Sequence, residues 1–171
     1  LEAAANGSKV LALRSVEFAS NHNVPVHVRS SFALDEGTWI TEETPDMEKA
    51  IVSMIAHKSD EAKVTLTAVP DQTGVAAAIF TALADKVINV DMIIQNVSQQ
   101  GFTDVSFTVP LTELRKTIEV MKDLKDHLRY KEMTTDDQIG TVTLVGAGMK
   151  SEPGVAAKMF RVLAAEGINL Q

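Results

Sequence analysis

A short polar loop that leads into an apolar helix is the part of this sequence best suited to binding chemistry. The loop is Pro70-Asp71-Gln72-Thr73-Gly74, and the helix begins with Val75 and Ala76. A glycine at a helix start lets a ligand approach the backbone N–H groups, which together with the helix dipole bind a carboxylate. Asp71 could hold an ammonium group, so the loop suits a free amino acid. The end of the next predicted strand could complete the pocket with Gln95, Asn96 and Ser98.

The glycine of this loop also has a purely structural explanation. The run Gly74-Val75-Ala76-Ala77 recurs 80 residues later as Gly154-Val155-Ala156-Ala157. In both places the glycine could be required only for a tight turn between strand and helix. From the residues alone, both explanations stay open.

Other candidate motifs lack residues that the corresponding nucleotide-binding or phosphate-binding loops require. The run Gly146-Ala147-Gly148-Met149-Lys150-Ser151 lacks the third glycine of a dinucleotide-binding loop, because Ser151 stands there. Met149 interrupts the Gly-Lys-Ser that a phosphate-binding loop needs. The four histidines are scattered without ligand spacing, and there is no cysteine. We therefore predict no catalytic residue, no metal site and no cofactor site in this chain.

Composition narrows the class of protein. The 171 residues carry a formal net charge of −7, which argues against a nucleic-acid binder, since such proteins present basic surfaces. No apolar run approaches the roughly 20 residues of a membrane span. The first residues, Leu1-Glu2-Ala3-Ala4, do not resemble a signal peptide. We expect a soluble, cytoplasmic protein with no nucleic-acid or membrane partner.

The repeat indicates two copies of one small domain. Val64-Thr65-Leu66 matches Val142-Thr143-Leu144 at an offset of 78, so the loop before the helix is two residues longer in the second copy. Periodicity in the first copy predicts strands over 63–69, 88–97, 103–109 and 130–134, with a helix from Val75 and a second helix capped by Thr112. Asp71 or Thr73 is expected to cap the first helix. The order βαββαβ predicts an α+β, ferredoxin-like fold, with both helices on one face of an antiparallel sheet.

The N-terminal part differs from the repeat. Its pattern predicts a helix over 8–20, a strand over 24–28 and a linker from residue 33. The strand has no evident partner in its own neighbourhood, so we expect it to pair with a segment distant in sequence.

Several segments of this sequence resemble the regulatory region of aspartate kinases, with its paired ACT domains. The resemblance rests on the segments 70–76 and 88–98, together with 7–11, 14–19, 26–32, 37–40 and 47–49. It extends over essentially the whole chain. It implies the end of a kinase domain and a strand of the second ACT domain over 1–32, and a linker and lead-in over 33–62. The first ACT domain would span 63–135, inserted into a second, truncated one over 136–171.

The resemblance implies an allosteric function. Aspartate kinases phosphorylate aspartate with ATP and are inhibited by end-product lysine, threonine or both, bound between ACT domains. Carried over to this chain, the effector-binding residues would be Asp71, Gly74, Val75, Ala76, Gln95, Ser98 and Asn169. The Lys-Phe-Gly-Gly run of the kinase domain is absent, so ATP and Mg²⁺ would belong to the kinase part. Implied partners are the effector, a second copy through its ACT domains, and a kinase domain or catalytic subunit.

The sequence departs from the family pattern in the second copy. Ser151 stands where Asp71 stands in the first, so we expect that copy to bind an amino acid weakly or to act as a partner. The chain stops at Gln171, midway through a predicted strand. Met47 is a plausible internal start for a separate subunit, but the chain begins earlier, which favours a piece that contains the regulatory region.

One alternative function remains open on the sequence. The ACT pairs could serve only to hold subunits together and bind no ligand, because open sheet edges invite pairing. An RNA-binding ferredoxin-like fold is disfavoured, since only 5% of the residues are aromatic and such folds stack bases on aromatic side chains.

Overall fold

The computed structural model describes residues 2–8, 11–41, 52–96, 100–146 and 152–170. The chain forms two compact units. We call Lys58–Thr141 the continuous unit, and Leu1–His57 with Val142–Gln171 the discontinuous unit. The first predicted ACT domain, residues 63–135, lies inside the continuous unit. In the described part of the chain, no helix combines the length and the apolarity needed to cross a membrane.

The elements follow one another in chain order. Before the continuous unit come α1 (Glu2–Ala5), α2 (Leu13–Asn21), β1 (Val26–Val28), β2 (Thr38–Ile40) and β3 (Met54–Lys58). Next come β4 (Glu61–Pro70), α3 (Val75–Asp85), β5 (Ile93–Asn96), β6 (Phe102–Pro110), a 3₁₀ turn (Leu111–Glu113), α4 (Leu114–Asp123), α5 (Lys125–Leu128) and β7 (Glu132–Asp136). The last two are β8 (Thr141–Val145) and α6 (Val155–Ala165).

The continuous unit is built on a four-stranded antiparallel sheet in the order β5-β6-β4-β7. On one face, Val64 lies opposite Phe107 and Leu66 lies opposite Val105. The apolar sides of α3, α4 and α5 pack against this face; the largest fully buried helix residues are Ile79, Leu83, Met121 and Leu128. The order βαββαβ and the single layer of helices are those predicted, so the ferredoxin-like fold is confirmed.

The N-terminal strand has a nearby partner, and our prediction of a distant one is wrong. Val26–Val28 pairs antiparallel with Thr38–Ile40, and the rings of His27 and Trp39 stack with centroids 3.9 Å apart. Gly37 makes this hairpin possible, because its φ is +77° and a Cβ there would lie 2.3 Å from the carbonyl oxygen of Val28. The expected linker therefore contains a strand.

A different segment pairs with the first strand of the second copy. Strands β3 and β8 form a two-stranded sheet, so the partner of β8 is residues 54–58, which end at the first residue of the continuous unit. This segment too lies in the predicted lead-in. The predicted strand over 88–97 is also shorter than expected, since β5 covers only Ile93–Asn96.

Both repeated helices end in the same turn. After α3, the Val87 N–H donates to the Ala84 carbonyl at 2.8 Å, and after α6 the Gly167 N–H donates to the Ala164 carbonyl at 3.1 Å. Val87 has a φ of +56° and Gly167 a φ of +71°. The first copy therefore places a β-branched residue in a left-handed conformation where the second has glycine.

We expect Val87→Gly to stabilise the protein by roughly 0.5–1 kcal/mol. The left-handed conformation costs an L-residue about 1–2 kcal/mol, and the extra freedom of glycine in the unfolded chain offsets part of the gain. Val87 is 81% exposed, so the substitution removes little packing. Urea unfolding measures the change as a higher midpoint at an unchanged slope.

The matched control is Gly167→Val, which should destabilise, although a Cβ at Gly167 meets nothing within 4 Å. If both substitutions changed the midpoint in the same direction, backbone strain would not explain the difference between the copies.

Candidate functional site

Helix α3 begins at a glycine whose conformation only glycine adopts freely. Gly74 is the N-cap residue, with φ +98° and ψ −11°. A Cβ at this position would meet nothing within 4 Å, so the glycine is required for the turn and not for close contact. Gly154 occupies the same position before α6, with φ +99°. The turn therefore requires a glycine in both copies, whether or not a ligand binds beside it.

The start of α3 also has backbone N–H groups that no side chain caps. The predicted caps, Asp71 and Thr73, are wrong, because Gly74 is the N-cap and α3 has no side-chain cap hydrogen bond. The Val75 N–H donates to the Gln72 carbonyl at 3.3 Å, and the helix bonds begin with the Ala78 N–H to the Gly74 carbonyl. The first turn thus carries the positive end of the helix dipole, and among the described residues no carboxylate or hydroxyl caps it. The predicted cap Thr112 fails likewise, since α4 begins after Glu113 without a side-chain bond.

The loop before α3 and the end of β5 lie at the same end of the sheet. The Asp71 N–H donates to the Gly101 carbonyl at 2.8 Å, in the connection between β5 and β6. Asn96, the last residue of β5, faces Asp104 in β6, and the Thr103 hydroxyl donates to the Asn96 carbonyl.

The predicted effector residues fall into three groups. Asp71, Gly74, Ala76 and Gln95 are exposed at this end of the continuous unit, and Val75 is half-buried beside them. Asn169 is exposed in the discontinuous unit and is not among the residues that the continuous unit brings together. Ser98 lies outside the described residues, as does the loop of the second copy with Ser151.

Strand β4 contains a β-bulge immediately before the loop. Leu66 faces Val105 and Val69 faces Thr103, so Thr67 and Ala68 together face Asp104 alone. Ala68 has a φ of +51°, which costs a non-glycine residue about 1–2 kcal/mol. Its N–H donates to Oδ1 of Asp104 at 2.8 Å. The alternation of buried Val64 and Leu66, broken at Val69, is the sequence signal that could have revealed this bulge.

A polar pocket of about 280 Å³ lies at the opposite end of the same sheet. It is lined by Lys58, Asp60, Glu61, Asn89, Val90, Asp91 and Pro110. Glu61 is only 6% exposed; it accepts hydrogen bonds from Thr141 Oγ1 at 2.6 Å and from Lys58 Nζ at 3.4 Å. Lys58 also forms an ion pair with Asp91. We did not expect this cluster from the sequence, because its members are 33 and 80 residues apart along the chain.

Lys58 and Asp91 shift each other's pKa. The pKa of Asp91 lies below its usual range because the neighbouring side chains of Glu61 and Lys58 favour its ionised form. Burial by itself would lower the pKa of Lys58, but Asp91 and Glu61 outweigh that effect and raise it. No cluster of three metal-binding side chains occurs among the residues that the structure describes. This arrangement is an ion network that joins the starts of β4 and β5.

A sequence model described as the ACT domain matches residues 67–124 and 142–171. The chain belongs to the ACT domain family. Its relatives within the family are aspartokinases: it is 46% identical to the aspartokinase of Corynebacterium efficiens over 175 residues, which cover 100% of this chain and 42% of that protein. The chain thus spans about two fifths of the length of such relatives.

Two solved structures extend the comparison. The ligand-free regulatory subunit of aspartate kinase from Thermus thermophilus is 35% identical, with a TM-score of 0.66 over 71% of this chain and 80% of that one. Escherichia coli aspartokinase III, in a T-state complex with lysine and aspartate, is 25% identical, with a TM-score of 0.69 over 99% of this chain and 37% of that one. The resemblance to the regulatory region of aspartate kinases is confirmed.

We expect the Lys58–Asp91 ion pair to make stability depend on pH. The folded pKa of Asp91 is depressed, so its contribution is present above the unfolded value of about 3.9 and is lost as the pH falls through the folded value. Asp91→Asn should therefore lower the free energy of unfolding at pH 7 and reduce its further loss on going to pH 3. Because half of the Asp91 side chain is exposed, the effect should not exceed about 1 kcal/mol.

The control for this variant is Asp60→Asn, which removes an exposed carboxylate from the same pocket. Urea unfolding at pH 7 and pH 3 compares the three proteins. An Asp91→Asn protein that loses as much stability as wild type between the two pH values would contradict the assignment.

Proposed function

We propose that this chain is the regulatory region of an aspartate kinase and that it binds an end-product amino acid, lysine or threonine, beside Gly74. The observation that carries the proposal is the uncapped start of α3 next to Asp71. The N–H groups of the first turn suit the α-carboxylate of the effector, and Asp71 suits its ammonium group. The lysine complex of Escherichia coli aspartokinase III supports an amino acid as the ligand.

A second copy of the chain completes the proposed site. Within the sheet of the continuous unit, β5 is an edge strand, and its exposed residues include Ile93 (53% exposed) and Ile94 (48% exposed). An apolar edge with unpaired backbone groups favours pairing with another strand. Because Gln95 lies on this edge, an amino acid bound beside Gly74 would contact the interface between the two copies.

Regulation follows from a difference in affinity. An effector held between two copies favours the arrangement of subunits that binds it more tightly, and that arrangement is the inhibited one. Phosphorylation of aspartate by ATP with Mg²⁺ takes place in the kinase domain or catalytic subunit that accompanies this region. The proposed binding residues in the continuous unit are Asp71, Gly74, Val75, Ala76 and Gln95, whereas Ser98 and Asn169 stay predictions from the resemblance alone.

The open edge also favours a second candidate function, an oligomerisation module without a ligand of its own. The two functions differ in one measurable property, since a pure assembly module dimerises but takes up no amino acid.

We expect lysine, threonine or their mixture to raise the melting temperature of this chain. At a hundredfold excess over Kd, binding to the folded state adds about 2.7 kcal/mol. Asp71→Ala should abolish the shift, because the ammonium group of the effector then loses its charged partner. Calorimetric titration of the same samples measures the affinity directly.

Asp85→Ala is the matched control, since Asp85 is an exposed aspartate at the other end of α3. It should leave the shift unchanged. A folded chain that dimerises but responds to neither amino acid would overturn the proposal in favour of the assembly module.

A further inference from the structure

We infer that Asp104 is a positioning residue for the proposed amino-acid site. Its carboxylate holds the bulge at Ala68, and the bulge sets the direction in which the loop with Asp71 leaves the sheet. The inference rests on the proposed function, because it assigns a residue to the same site. Asp104 need not touch the ligand for this role.

The bulge changes which side chains of β4 face the helices. Leu66 is fully buried, so strict alternation would direct Ala68 toward the core and Val69 away from it. The extra residue reverses this order, and Val69 is fully buried instead. Continued by one residue past Pro70, the reversed alternation places Asp71 on the side of the sheet that α3 covers.

The bulge needs an external partner to persist. An alanine in the left-handed conformation is strained, and a bulge locally disrupts the ladder of backbone hydrogen bonds. The Asp104 carboxylate accepts this N–H at 2.8 Å, and a charge-assisted hydrogen bond of this kind is stronger than a neutral one.

The same part of β6 fixes both sides of the site. Thr103, adjacent to Asp104, is 1% exposed and donates to the carbonyl of Asn96 at the end of β5. Asp104 faces Asn96 across the β5–β6 ladder and contacts the Ala68 N–H across the β6–β4 ladder. Two consecutive residues therefore tie the loop side and the edge-strand side of the proposed site to one strand.

The central test compares substitutions at Asp104 by calorimetric titration of the whole chain with lysine and threonine. Asp104→Ala should weaken binding about tenfold, as expected when a hydrogen bond to a charged group is lost. Asp104→Asn keeps an acceptor oxygen and should bind within about twofold of wild type. Asp104→Ala combined with Ala68→Gly should recover most of the affinity, because glycine holds the bulge conformation without strain.

The variant Asp136→Ala is the control that separates an effect on the binding site from an effect on stability alone. Asp136 also accepts a backbone N–H, from Gln138 at 2.9 Å, but it faces Lys63 near the other end of β4. This control should lower the melting temperature and leave the affinity for the amino acid unchanged. If Asp104→Ala behaved like Asp136→Ala, Asp104 would be structural only and the inference would be wrong.

A measurement on wild type covers the case in which Asp104→Ala does not fold. Coupling between sites is reciprocal, so amino-acid binding should slow hydrogen exchange at the Ala68 amide more than at the Gln138 amide. Equal effects at the two amides, in a chain that binds the amino acid, overturn the inference alone. A wild-type chain that binds neither amino acid overturns the proposed function and the inference together.

Discussion

Strand β4 is the element on which the rest of the continuous unit depends. It pairs with β6 on one side and β7 on the other, and Val64, Leu66 and Val69 from it lie at the centre of the core. A ten-residue strand in the middle of a sheet has little freedom, because its backbone groups are paired on both sides and a one-residue shift would turn its apolar side chains to solvent. The single bulge in β4 therefore changes the face of the sheet on which the following residues of the strand lie.

The shape of the candidate site depends more on backbone conformation than on side-chain chemistry. Ala68 and Gly74 both have a positive φ, and between them the chain leaves the sheet and enters α3. The result is a helix start without a side-chain cap, beside one carboxylate and an open sheet edge. The same glycine turn precedes α6, so both copies of the repeat begin their helix in this way. What distinguishes the first copy in sequence is Asp71, where the second has Ser151.

Much of this fold could be predicted from the sequence, because the repeat and the alternation of apolar residues are local signals. The β1–β2 hairpin could not, since β2 has only three residues and lies among polar residues and a glycine that resemble a linker. The predicted helix caps failed because Gly74 moved the N-cap one position beyond Thr73. The bulge leaves a local trace in the apolar alternation of β4, but its partner Asp104 and the Lys58 network depend on contacts across the sheet, between residues 33 to 80 positions apart, which no local pattern reports.

The central claim is that an amino acid binds at the bulged end of the sheet and not in the polar pocket at the other end. Mapping backbone amide chemical shifts during titration with lysine and threonine tests it most directly. We predict the largest changes at Asp71, Val75 and Ala76, with the amides of Lys58 and Glu61 unchanged. The largest changes at Lys58 and Glu61, or none at saturating concentrations of both amino acids, would contradict this account.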